Sequence, residues 1–213
     1  MKRILAAILT IVMLAMLCGC GNAAEKLTGT WQTEADLSQQ VSQLMLGEVG
    51  DMSEYFDFSG FTIQFLLTLS ADGTYNLRPE QASVQAAFDA LLVNLKDGLV
   101  RFYEDEIAHA GLGMTVEEYL ATQNVTMDDL IETLEEHIAQ EDLVSNLVEA
   151  NTREGQFSAT DGKLYLSAGA QFGIDETVYE TYTLEGNTLT LTSHVDGDET
   201  DTAGYPRFFQ KVS

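Results

Sequence analysis

The sequence predicts an α+β fold: an eight-stranded antiparallel barrel with a helical insertion between its third and fourth strands. Three observations carry this expectation. Short β-prone runs bounded by Asp-Gly and Gly-Asn turns occur toward both ends of the chain. Between them, residues 79–153 show almost no period-two pattern, and apolar residues recur there every three or four positions. Eight strands in hairpins also close most simply into a ring, because closure removes exposed edges.

The elements follow in order. Residues 27–34 read as an opening strand, and 35–46 as a short amphipathic helix with Leu37, Val41 and Leu44 on one face. Acidic and aromatic residues alternate through 47–60, which reads as a loop. Phe61–Leu69 is apolar and β-prone, Ala71-Asp72-Gly73 is a turn, and 74–77 is the return strand. Pro79 suits the first turn of a helix. Beyond it Val84, Phe88, Leu91, Leu95, Leu99 and Phe102 mark a long amphipathic helix that ends near Gly111–Gly113.

Thr115 with Glu118 has the spacing of a capping box and starts a short helix. Thr126 with Asp129 caps another, expected to run through Leu130, Leu134, Ile138 and Val144 to Val148, with Gly155 as its stop. The last third returns to strands: 156–160 and 163–168 around Asp161-Gly162, then 177–184 and 188–195 around Glu185-Gly186-Asn187. A closing strand over 205–212 has Pro206 at its edge or start.

The first residues carry an address. Lys2 and Arg3 precede an apolar run, Ile4–Leu17, which is too short to span as a permanent helix. Leu17-Cys18-Gly19-Cys20 resembles the lipobox of bacterial lipoproteins. The resemblance implies that Cys20 is lipidated and becomes the mature N-terminus. The expected organisation is a signal peptide over 1–19 and a lipidated tether over 20–26. A barrel domain over 27–213 follows, interrupted by the 79–153 insertion. The expected location is extracytoplasmic, lipid-anchored to a bacterial membrane.

Composition narrows the function. Thirty-four acids against ten Lys and Arg give a net charge of −24, which excludes nucleic acid, whose binding needs clustered cations. With Cys18 in the leader and Cys20 lipidated, no internal disulfide or thiolate metal site is left. Asp105 with His109, and His137 with Glu141, stand one helical turn apart; spacing of this kind more often marks solvated ion pairs than a metal site. His194 stands without a companion in sequence. The acidic run Asp196–Asp201 lacks the glycine and the bidentate Glu of a calcium loop. No serine elbow, phosphate loop or HExxH motif occurs, so an enzyme is not expected, nor any cofactor or metal.

Gly29-Thr30-Trp31 resembles the Gly-x-Trp signature of lipocalins. Together with "LSADGTYNL", "DGKLYLS", "YTLEGNTLTLT" and "YPRFFQKV", it is similar to lipocalin-like domains of bacterial surface lipoproteins. The resemblance implies a lipocalin-like barrel with Trp31 at its closed end under a basic side chain of the last strand, Arg207 first and Lys211 second. It also implies a non-catalytic binding module for a small apolar or amphipathic ligand at the open end, with the insertion as a lid. Residues 103–138 resemble the helical arms of trigger-factor-type chaperones. The alternative is therefore a protein-interaction or chaperone-like lipoprotein whose arm meets an exported protein.

Overall fold

The computed structural model describes residues 23–49, 54–140 and 142–213, without the side chains of 44–49 and 137–140. The leader and the lipidated-cysteine assignment at Cys20 lie outside the described residues. The elements are α1 (Ala23–Leu27), β1 (Gly29–Asp36), α2 (Ser38–Val49), β2 (Thr62–Leu69), β3 (Thr74–Pro79), α3 (Gln81–Ala110), α4 (Val116–Thr122), α5 (Met127–Gln140) and α6 (Leu143–Ala150). The strands β4 (Arg153–Thr160), β5 (Lys163–Leu166), β6 (Val178–Glu185), β7 (Thr188–Asp196), β8 (Glu199–Asp201) and β9 (Arg207–Lys211) follow.

The sheet is a closed antiparallel meander. Each strand from β1 to β7 lies beside its sequence neighbour, and β9 sits between β7 and β1 to complete an eight-stranded lipocalin-like ring. The short β8 pairs with the far end of β7, Val195 opposite Thr200. Helices α3 to α6 stand between the third and fourth strands, where the sequence places them. Local chemistry explains the tight turns. Asp161 and Gly162 have φ of 49° and 76°, the left-handed pair that a two-residue hairpin loop requires.

The chain divides into two compact units. Among the described residues the first holds 23–33, Leu66–Leu77 and Arg153–Ser213. Its interior is Trp31, Leu67, Leu69, Tyr75, Phe157, Ala159, Leu164, Leu189, Leu191 and Phe209, joined by Leu27 of α1. Seven of these come from strands whose burial alternates along the chain, as a one-sided pleat demands. Residues 23–26, expected within a tether, wind into α1 instead, because Ala23, Ala24 and the fully buried Leu27 find apolar partners in this core.

The second unit holds Glu34–Phe65 and Arg78–Thr152. Its core is Phe58, Phe61, Ile63, Val84, Ala87, Leu91 and Leu95, with Leu37, Val41, Leu134, Val144 and Leu147 packed around it. Gly98 sits inside α3, where glycine weakens a helix by about 1 kcal/mol. A Cβ there would run into the Phe56 ring and the Tyr55 carbonyl, so the glycine lets 55–56 lie directly on α3.

Three local expectations are corrected. Pro79 ends β3, fully buried, and Glu80 is the residue that precedes α3. The helix expected from Thr126 to Val148 is two helices, because Asp142 adopts φ 49° and breaks the ladder. Gly155 belongs to β4 rather than stopping a helix, which ends at Ala150 with Asn151 as its C-cap. A Cβ at Gly155 would overlap the Ser167 hydroxyl and press on the Tyr75 ring. That hydroxyl accepts from the Gln156 N–H at 2.8 Å, and the Tyr75 hydroxyl donates to the Ser167 carbonyl at 2.7 Å.

Candidate functional site

The first unit presents an interior occupied by its own side chains. Trp31 is completely buried, and its indole N–H donates to the Leu27 carbonyl at 2.7 Å, so α1 and β1 are fastened at one point. The cation over this ring is Lys211, not Arg207. Trp31 and Lys211 are opposite one another in the β1–β9 register, and the ammonium stands 5.1 Å from the ring centroid. The same ammonium donates to the Thr28 carbonyl at 2.7 Å.

Arg207 lies over Tyr205 instead, at 4.5 Å, and donates to the Gly204 carbonyl. The reason is register: Arg207 stands four residues before Lys211, opposite Leu191 of β7, and reaches its own loop. Gly29 completes the arrangement with φ 132°. A Cβ there would strike the Ser213 carbonyl and the Lys211 stem, so glycine is what allows the lysine to pass.

The remaining polar candidates are placed as follows. His194 of β7 does have companions: it pairs with Glu180 of β6 at 2.9 Å, and Glu180 also accepts from the Tyr205 hydroxyl. Burial and this carboxylate push the Tyr205 phenol well above its ordinary value. Asp105 and His109 meet at 3.3 Å on the exposed face of α3, where Asp105 also accepts from the Tyr55 hydroxyl at 2.6 Å. That carboxylate pushes the Tyr55 phenol up to about 12. The His137–Glu141 pair lies outside the described residues. Among the described residues no group of three His, Cys, Asp or Glu side chains gathers as a metal ion requires. The Asp196–Asp201 run folds as the β7–β8 hairpin with Gly197 at φ 59°, and its Asp201 accepts from the Ala203 N–H.

The recess most suited to a ligand is in the second unit. The C-terminal half of α3, the 111–115 connection, α4 and the start of α5 enclose a half-open groove of 990 Å³. Val100, Ile107, Met114, Val116, Leu120 and Met127 supply its apolar surface. Glu104 and Glu117 stand on its rim, and Lys96 closes one end through a 2.9 Å ion pair with Asp128. Three further hollows of 530, 450 and 580 Å³ in the same unit are lined largely by charged and amide side chains.

Capping chemistry holds the groove open. Gly111 ends α3 in the left-handed conformation at φ 63°, which no β-branched residue adopts without strain. Thr115 and Glu118 then form a reciprocal capping box, the Glu118 N–H to the Thr115 hydroxyl at 3.2 Å and the Thr115 N–H to the Glu118 carboxylate at 2.9 Å. Thr126 and Asp129 repeat the device at α5, at 3.1 and 2.7 Å. The donated hydrogen bonds hold the Asp129 carboxyl below the usual carboxylate range. Two capped helix starts thus follow the end of α3, and Leu112, in the connection before α4, remains 46% exposed.

Sequence reasoning found both caps but missed the groove. Its signal is a second stripe on α3 at 96, 100, 104, 107 and 108, beside the core stripe of Leu91 and Leu95. That stripe mixes Lys and Glu with Val and Ile, so it reads as solvated surface until α4 and α5 are known to face it.

No protein-family model matches the chain, and no curated protein does. Among solved structures it is similar to the crystal structure of Echinococcus granulosus fatty-acid-binding protein 1, at 11% identity, over 89% of this chain and 99% of that one. The TM-score is 0.29, too low for the ligand of that protein to bear on this one. The barrel rests on the strand pairings themselves.

Proposed function

We propose that this chain is a non-catalytic binding lipoprotein, anchored outside a bacterial membrane by a lipid on Cys20. In this reading the barrel is a solid scaffold and the helical unit presents the recognition surface. One observation carries it: the 990 Å³ groove of α3, α4 and α5 is a recess with a partly apolar lining, whereas the barrel positions bury Trp31, Leu164, Leu189 and Phe209. An eight-stranded ring is only wide enough for side chains or one small ligand, and here side chains take the space. This reading prefers an apolar or amphipathic partner on the arm to a small apolar ligand at the barrel mouth. The Thr115 and Thr126 hydroxyls in the groove are held in helix caps and Asp128 is paired with Lys96, which supports a binding role.

Filling the groove tests this. Ala108 is exposed on the groove wall, so Ala108→Trp blocks it without disturbing a core. Nile red, a neutral apolar dye, is expected to bind the full chain and to bind Ala108→Trp at least tenfold more weakly, read by fluorescence titration. Dye binding unchanged by Ala108→Trp and weakened by Leu191→Phe would place the ligand in the barrel and reject this reading. The anchor is tested separately: Cys20→Ser is expected to move the protein from the membrane to the soluble fraction.

A further inference from the structure

We propose that the groove takes a cationic amphipathic polypeptide segment, apolar along one side and flanked by Lys or Arg. This deepens the preceding reading and rests on it. The groove is lined by Val100, Met114, Val116 and Met127, each half-buried, together with the nearly buried Ile107 and Leu120. Methionines at 114 and 127 are unbranched and repack around side chains of different shape, which suits a peptide more than one rigid molecule.

The charge of the walls selects among apolar partners. Residues 80–152 contain sixteen Asp and Glu but only Lys96 and Arg101 as Lys or Arg. Both cations are engaged: Lys96 with Asp128, and Arg101 with the Tyr55 and Asp97 carbonyls. Glu104 and Glu117 on the rim have no cation partner among the described residues. A fatty-acid carboxylate or an anionic lipid headgroup would meet an uncompensated field of its own sign, whereas Lys or Arg beside the apolar residues would complete the rim. A half-open groove bounded by helices matches the mode in which an amphipathic helix lays its apolar face between helices.

The test uses two synthetic helical peptides labelled with fluorescein, one of Leu and Lys at amphipathic spacing and its Leu and Glu counterpart, titrated by anisotropy into the full chain. The Leu/Lys peptide is expected to bind, to weaken with added salt, and to weaken about tenfold in Glu104→Gln/Glu117→Gln, since both positions are exposed and the fold does not need their charge. The Leu/Glu peptide is expected not to bind. Equal binding of both peptides, or Leu/Lys binding unchanged in the double variant, overturns the proposal. If Nile red binding is lost in Ala108→Trp while the Leu/Lys peptide never binds, the groove stands as the site and the cationic partner falls. If Ala108→Trp affects neither probe, the groove itself falls.

Discussion

The barrel and the helical unit use similar apolar residues to opposite ends. In the barrel, alternate positions of eight strands converge, and each large side chain meets others across the ring: Trp31, Phe157, Leu164, Leu189 and Phe209 are all almost fully buried. In the helical unit, α3 is thirty residues long and offers more faces than its neighbours cover. One stripe, with Val84, Leu91 and Leu95, makes the core; the next, with Val100 and Ile107, lines an open groove. A pleated strand has only two faces and a closed sheet buries one completely, whereas a long helix can belong to a core and to a binding surface together.

That contrast can be broken or sharpened by substitution. The largest effect is expected at the centre of the barrel. Trp31→Ala removes an indole that is completely buried and tied to Leu27, and is expected to cost about 3–5 kcal/mol in urea denaturation. A loss under 1 kcal/mol would show that the interior is loosely filled. Next comes the cation over the indole. Lys211→Met loses both the ring contact and the bond to Thr28, and is expected to cost about 1–2 kcal/mol. Arg207→Met touches only its own loop and should stay within about 0.5 kcal/mol.

In the helical unit the effects on stability are smaller. Thr115→Ala removes a capping box at the groove edge and is expected to cost about 1 kcal/mol, with Nile red affinity falling alongside. Loss of stability without loss of dye binding would separate the cap from the groove. The smallest effect is in acid. Asp72, Asp129 and Asp175 are held below the carboxylate value of 3.8 by hydrogen bonds from the threonines Thr74, Thr126 and Thr177. A depressed folded value contributes stability that is complete above the unfolded value and disappears as pH falls through the folded one. Denaturation midpoints are therefore expected to hold from pH 7 to about 5 and to drop below about pH 4. Asp129→Asn should flatten the part of that drop that belongs to α5.

Much of the fold was legible because its signals are local. Asp161-Gly162 specifies its own turn through two left-handed residues, and Thr115 with Glu118 specifies a helix start through bonds three residues apart. The eight barrel strands follow from alternation between such turns. Where local signals compete, the sequence misleads. Pro79 suits a helix start and a strand end equally, and burial at the end of β3 decided between them. Gly155 carries the mark of a helix stop, yet it is glycine because Tyr75 of β3 and Ser167, just past β5, close in on it.

The candidate site divides in the same way. The sequence by itself determined the acidic charge, the helix caps, the turns and the first-strand glycine and tryptophan, because each depends on composition or on residues within one turn of the chain. Tertiary structure alone decided that Lys211 and not Arg207 covers Trp31, since strand register brings residues 180 positions apart to face one another. It also gave His194 its Glu180 and Tyr205 partners, and it turned a mixed stripe on α3 into the wall of a groove. Pairing across that distance depends on which surfaces meet after the chain collapses, and no local pattern of residues encodes it.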